Sequence, residues 1–205
     1  MDISDVYQEA KRIVIKKGFA DEIEWQREQH FGEFTETTFL REAAWVILCS
    51  GFKESIIRNK FDYISLCFCD WESAKEIIKN SEVCVQTAMF EFGNKQKLKA
   101  IIGVAELMNL VGFENLKQII IKNPIEELQK LPFIGSITSW HLAKNLGLSV
   151  AKPDRHLIKL TEFLGYADVQ KLCRDVADSV GDPISVVDII FWRYCTFTPL
   201  KNSIV

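Results

Sequence analysis

The chain has 205 residues, 48% of them apolar and 26% charged, with a formal net charge of −3. That length suits one domain or two interleaved helical subdomains, and the apolar share is enough to build a real core. No apolar run is long enough to span a bilayer and the first residues (MDISDVYQEAKR) carry no secretory pattern, so a cytosolic protein with no membrane partner is expected.

The periodicity is helical almost everywhere, with no strand pair, internal repeat or low-complexity segment. Val6, Ala10, Val14 and Ile15 mark one face of a first helix over 4–17, which Gly18 ends. An acidic connector with Trp25 and Phe31 follows. Thr35 to Thr38 offer N-caps for an apolar helix over 38–49, carrying Phe39, Ala43, Val46 and Ile47 and ended by Gly51. Shorter helices are predicted at 54–67, 72–79 and 82–91. Gly93-Asn94 turns the chain into a longer helix over 95–110. Gly112 separates this from one at 114–121, and Pro124 starts a short helix. Helices at 136–146, 155–164, 168–179 and 184–195 complete an all-α reading.

The cysteines Cys49, Cys67, Cys69, Cys84, Cys173 and Cys195 are scattered, mostly inside apolar stretches, and read as reduced thiols. Only Cys67 and Cys69 are close, and their one-residue gap is not that of common zinc or cluster motifs, so no metal site is expected. Charge is uneven. Residues 21–42 hold seven acids against Arg27 and Arg41, whereas residues 91–160 hold ten Lys or Arg against six Asp or Glu. The negative total argues against a nucleic-acid partner, while the positive half leaves room for modest phosphate neutralisation.

That positive half contains the most informative segment, LQKLPFIGSITSWHLAKNLGLSVAKPDRHLIKL, from Leu128 to Leu160. Pro132 and Gly135 make a tight turn between two amphipathic runs, a helix-hairpin-helix. The amides that open its second helix make a place for a phosphate. Leu131 and Ile134 would pack the two helices together. Gly135 would let backbone approach backbone or phosphate without a Cβ in the way, and it would also hold a φ that other residues resist. Ser136 would lie near a phosphate. A plain αα-corner would use the same punctuation. Asp154, on a Lys-Pro step 19 residues beyond Gly135, reads either as an N-cap or as a reactive carboxylate, and the two roles are compatible.

Hairpin and aspartate together resemble the helix-hairpin-helix DNA glycosylases, the superfamily of endonuclease III and the alkyladenine and 8-oxoguanine glycosylases. Its turn runs Leu-Pro-Gly-hydrophobic-Gly and then, after two variable positions, a small residue. Here the slots are Leu131, Pro132, Phe133, Ile134 and Gly135, followed by Ser136, Ile137 and Thr138. Phe133 replaces the first glycine. The stretch Pro153-Asp154-Arg155-His156-Leu157-Ile158-Lys159 looks like the Pro-Asp-x-x-Leu-Ile-Lys pattern of alkyladenine glycosylases. Leu48 to Lys60 parallels the endonuclease III loop that fills the hole left by an extruded base, with Phe52 in the inserting position. Val187 to Trp192 looks like the Asp-hydrophobic-Trp segment of archaeal oxoguanine glycosylases.

The resemblance implies two helical subdomains with a cleft between them. One spans residues 38–149 with the hairpin at 131–136; the other combines 1–37 with 150–205. It implies excision of an alkylated or oxidised purine from double-stranded DNA by a monomer, nucleoid-associated in a prokaryote. Asp154 becomes the catalytic carboxylate. Phe133, Ile134, Gly135, Ser136, Thr138, Phe52 and Lys53 become DNA-binding, and Trp140, His156, Asp188 and Trp192 become base-pocket residues. Bifunctional members use a lysine that attacks the sugar. Its slot here is Ile137, while Lys144 and Lys152 lie elsewhere, so a monofunctional enzyme using water is expected. No iron–sulfur cluster is expected, since only Cys173 and Cys195 follow the hairpin, and a monovalent cation at the hairpin is compatible with the pattern. Three alternatives stay open: a non-catalytic DNA-binding module, a bifunctional glycosylase using a lysine outside the usual slot, and an all-α protein-interaction domain.

Overall fold

The computed structural model describes residues 2–198, which form thirteen α-helices and no strand. They divide into two compact units, one running from Gly32 to Leu146 and the other joining the segments before and after it.

The discontinuous unit begins with α1 (Ile3–Lys16), whose N-cap Asp2 accepts a hydrogen bond from the Ser4 amide at 3.2 Å. Next comes α2 (Ala20–Glu28), where the sequence suggests only a connector. The helix escapes a periodicity reading because it buries only Ile23 and Gln26. Its acids at Asp21 and Glu22 suit a helix N-terminus. Tertiary ties then hold it: Arg193 donates to both carboxylate oxygens of Glu22, at 2.6 and 2.7 Å.

After the central segment come α11 (Arg155–Phe163), α12 (Val169–Val180) and α13 (Ile184–Phe197). Their apolar faces close on α1 around Tyr7, Val14, Leu157, Leu172, Val187 and Phe191. The two segments of the unit also touch at Gly147. Its φ is +96°, a left-handed value open to glycine, and an added Cβ would sit 2.5 Å from the backbone of His30 and Phe31. No other residue fits there.

The continuous unit holds α3 (Glu36–Cys49), α4 (Glu54–Cys67), α5 (Ala74–Lys79), α6 (Ser81–Ala88), α7 (Lys95–Val111), α8 (Phe113–Lys122), α9 (Pro124–Leu128) and α10 (Thr138–Asn145). Thr35, Ser73 and Asn94 supply side-chain N-caps to α3, α5 and α7. Between α4 and α5 lies a 3-10 turn, Cys69–Trp71, in which all three residues have positive φ. This left-handed turn brings Trp71 back into the core, where it stacks on Phe61 and Phe68 and donates to Ser65 Oγ at 2.9 Å. Helix α7 supplies the central apolar face through Leu98, Ile101, Val104, Ala105 and Met108. All six cysteines are free thiols, and no group of three or more metal-ligating side chains gathers among the described residues.

Candidate functional site

Asp154 is the N-cap of α11, with an extended backbone (φ −88°, ψ 172°). Its Oδ1 accepts the amides of His156 at 2.9 Å and Leu157 at 3.1 Å, satisfying two of the helix's otherwise unpaired donors. The carboxylate is half-buried and rigid, with Oδ2 carrying no hydrogen bond among the described residues. The approach to it is equally fixed. Gln170 bonds both ways with the backbone of Ala151, Asp188 accepts the Lys152 amide at 2.6 Å, and the Asp154 amide closes back on the Lys152 carbonyl at 2.8 Å.

The hairpin joins α9 to α10. Leu131 and Ile134 are buried between the helices, and the Ile134 amide donates to the Leu131 carbonyl at 3.1 Å. Pro132 packs on α7 where Gly103 leaves room; a Cβ at Gly103 would meet its ring at 3.2 Å. The left-handed residue of the turn is Phe133, at φ 63° and 48% exposed, and Gly135 has no positive φ. This corrects the expectation that Gly135 needs glycine's backbone freedom. Nor does protein backbone crowd it, since an added Cβ would meet only Thr138 Oγ1 at 3.9 Å. The Gly135 amide donates to that hydroxyl at 2.7 Å. The Ser139 amide closes on the Gly135 carbonyl at 2.9 Å, and the other amides at the start of α10 are those that a helix N-terminus leaves without an intrahelical partner. Ile137, in the slot where a lysine would stand, is 44% exposed.

The loop between α3 and α4 presents Phe52, 42% exposed, with Lys53 beside it at the surface. The Phe52 ring lies 5.2 Å from that of Phe92, and with Ile56, Lys60, Lys95 and Gln96 these rings line a surface cavity of about 600 Å³. Beneath the loop sits Lys97, only 4% exposed. Its ammonium donates to the carbonyls of Ile47, Leu48 and Ser50 at the C-terminus of α3 and lies 5.3 Å from the centre of the Phe52 ring. Burial pulls its pKa below the ordinary lysine value.

No protein-family model matches the chain. A curated relative, the pre-glycoprotein polyprotein GP complex of Junin mammarenavirus, is 25% identical over 154 residues, covering 64% of this chain. The chain spans about a third (31%) of that relative's length. Solved structures give a fuller match. The 8-oxoguanine DNA glycosylase of Thermotoga maritima superposes with a TM-score of 0.63 at 17% identity, covering 93% of this chain and 96% of that one. The Methanocaldococcus jannaschii 8-oxoguanine glycosylase/lyase, in complex with 15mer DNA containing 8-oxoguanine, matches with a TM-score of 0.63 at 21% identity over 98% of this chain and 100% of that one. A further structure of the M. jannaschii 8-oxoguanine DNA glycosylase gives 0.60 at 18% identity, covering 95% of this chain and 94% of that one. The chain has the fold of the 8-oxoguanine DNA glycosylases.

Within this glycosylase fold the remaining candidates take different places. Asp154, His156 and Asp188 share one neighbourhood, linked through Lys152 and the α11 cap. Asp188 is 1% exposed and grips backbone, so it shapes the segment leading to Asp154. Trp192, one turn further along α13, is half-buried with the Arg193 guanidinium 4.6 Å from its ring centre. Trp140 is half-buried on α10. Lys144 is buried on the same helix, and Lys152 is half-buried. Sequence reasoning misses Lys97, although a lysine on the same stripe as Ile101, Val104 and Met108 is a legible signal for a buried cation. It also misses Gln170, which nothing in the local pattern distinguishes from a surface glutamine.

Proposed function

We propose that this protein is a monofunctional DNA glycosylase that extrudes a damaged purine from duplex DNA and hydrolyses its N-glycosidic bond. Asp154 is the catalytic carboxylate in this reading, and 8-oxoguanine is the favoured lesion over an alkylated purine. The observation that carries it is the carboxylate of Asp154, fixed by its cap bonds at the start of α11, in a fold shared with solved 8-oxoguanine DNA glycosylases. One of those glycosylases is bound to DNA containing 8-oxoguanine, which supports the choice of partner and lesion.

As the bond to the base breaks, positive charge builds on the deoxyribose. A carboxylate already fixed by its cap bonds stabilises that charge without reorganising, and its remaining oxygen can orient and deprotonate the attacking water. The glycosylase/lyase name of the M. jannaschii neighbour favours a second reading, in which an amine attacks the sugar. Ile137 cannot supply one, and the burial of Lys144 weighs against that lysine.

The test is a single-turnover assay on duplexes each carrying one damaged base, 8-oxoguanine and alkylated purines among them. The wild-type protein is expected to release 8-oxoguanine and leave an abasic strand that stays intact until alkali cleaves it. Asp154→Asn is expected to lose at least about a hundredfold in rate, the scale of a lost preorganised charge or general base, with DNA affinity within a few-fold. Wild-type turnover by Asp154→Asn would reduce Asp154 to a cap. A protein–DNA adduct trapped by borohydride would replace the water mechanism with the amine one.

A further inference from the structure

We propose that Gln170 is a positioning residue for Asp154, holding the segment that delivers the carboxylate as a one-residue substitute for a β-bridge. Ala151 is fully buried, so its amide and carbonyl have no water to bond and must find partners inside the protein. Gln170, on α12, supplies both: its Oε1 accepts the Ala151 amide at 3.1 Å and its Nε2 donates to the Ala151 carbonyl. The pairing fixes which way the amide points. The oxygen must face the N–H and the nitrogen must face the C=O, and only a primary amide offers a donor and an acceptor side by side at that reach.

From Ala151 the constraint passes along the chain without a gap. The Lys152 amide is held by Asp188, the Lys152 carbonyl takes the Asp154 amide, and Pro153 between them has a φ fixed by its ring. Asp154 then locks onto the amides of His156 and Leu157. The four residues from Ala151 to Asp154 are therefore each constrained, the first by α12 and the second by α13, before the chain enters α11. Releasing Ala151 frees the start of this run, and a displacement of about 1 Å at a reacting group can cost on the order of a hundredfold in rate. The inference rests on the excision reading for its kinetic consequence, but the clamp itself is a property of the protein without DNA.

The experiment compares Gln170→Leu, which keeps bulk and removes both hydrogen bonds, with Gln170→Glu, which keeps the acceptor and sets a carboxylate oxygen against the Ala151 carbonyl. Both are expected to lower the single-turnover rate on an 8-oxoguanine duplex by about tenfold or more, with the Kd for that duplex within about threefold, because the step lost is orientation and not binding. In an Asp154→Asn background Gln170→Leu should cost nothing further, since residues acting through one group are not additive. An equal loss in that background, or a wild-type rate for both variants in the Asp154 protein, overturns the proposal.

Amide hydrogen exchange supplies the readout if either variant folds poorly or if the wild-type protein excises none of the lesions. In the wild-type protein the Ala151, His156 and Leu157 amides should all be protected, and in Gln170→Glu the His156 and Leu157 protection should fall. An unprotected Ala151 amide in the wild-type protein overturns the clamp. Absence of excision by the wild-type protein with intact protection sinks the glycosylase reading alone.

Discussion

Two residues of the hairpin turn have exchanged the roles that their types suggest. Phe133, a bulky side chain, holds the left-handed conformation at φ 63°, and Gly135, which could hold it freely, does not. A residue with a Cβ thus holds the left-handed position of this turn, at a cost of about 1–2 kcal/mol. Gly135 is left with no reason inside the protein to be glycine, as nothing but Thr138 Oγ1 approaches the position of its missing Cβ. A ligand that comes close to the backbone is the remaining reason. Gly135→Ala is therefore expected to leave stability within about 0.5 kcal/mol, as for substitutions that break no contact. The same variant is expected to weaken binding to damaged and undamaged duplexes alike, because amide–phosphate contacts carry no lesion information. Chemical denaturation and titration of both duplexes measure the two effects separately. Unchanged affinity in a folded variant would make the hairpin an ordinary corner.

Among the elements, Lys97 shows how a buried charge organises a loop. It lies on the apolar stripe of α7, yet its ammonium meets three carbonyls at the end of α3, where a cation complements both the unpaired acceptors and the helix dipole. The loop carrying Phe52 starts from those carbonyls. Lys97→Met keeps the stem's packing but leaves buried carbonyls without donors, so a loss of about 2–3 kcal/mol is expected in urea denaturation. A loss below about 0.5 kcal/mol would mean that water replaces the ammonium without difficulty. Most of the helical framework was legible in the sequence because long elements such as α3, α7 and α13 bury regular apolar faces. Helix α2 was not, since a nine-residue acidic segment tied through Glu22 to Arg193 and through Arg27 to Asp182 owes its form to distant partners. The cap at Asp154 was legible from a local pattern. The grip of Gln170 and Asp188 behind it was not, because no local spacing records which backbone group a side chain on another helix will reach.

On the scale of the molecule, the fold depends on binding the first helices to the last, and Asp182 does this with one carboxylate. It accepts from Tyr7 Oη at 2.5 Å, Lys11 Nζ at 2.7 Å and Arg27 at 2.7 Å, partners more than 150 residues away in sequence. Burial alone would raise its pKa, but the hydrogen bonds from Lys11, Tyr7 and Arg27 outweigh that and hold it at about 2. A carboxyl group whose pKa is depressed on folding stabilises the protein fully above its unfolded value of about 4, and this contribution fades as pH falls toward 2. The gap corresponds to roughly 2 kcal/mol at neutral pH. Asp182→Asn should therefore be less stable than the wild-type protein by about that amount between pH 5 and 7, with the difference shrinking steadily from pH 4 down to 2. Tyr7 adds an opposite arm, because burial and its bond to Asp182 push the phenol well above its usual range, so its contribution is lost only as alkali removes the proton. Urea unfolding of both proteins across pH 2–7 checks the acid arm. A stability difference that stays constant across that range would show that Asp182 acts through packing and not through its charge.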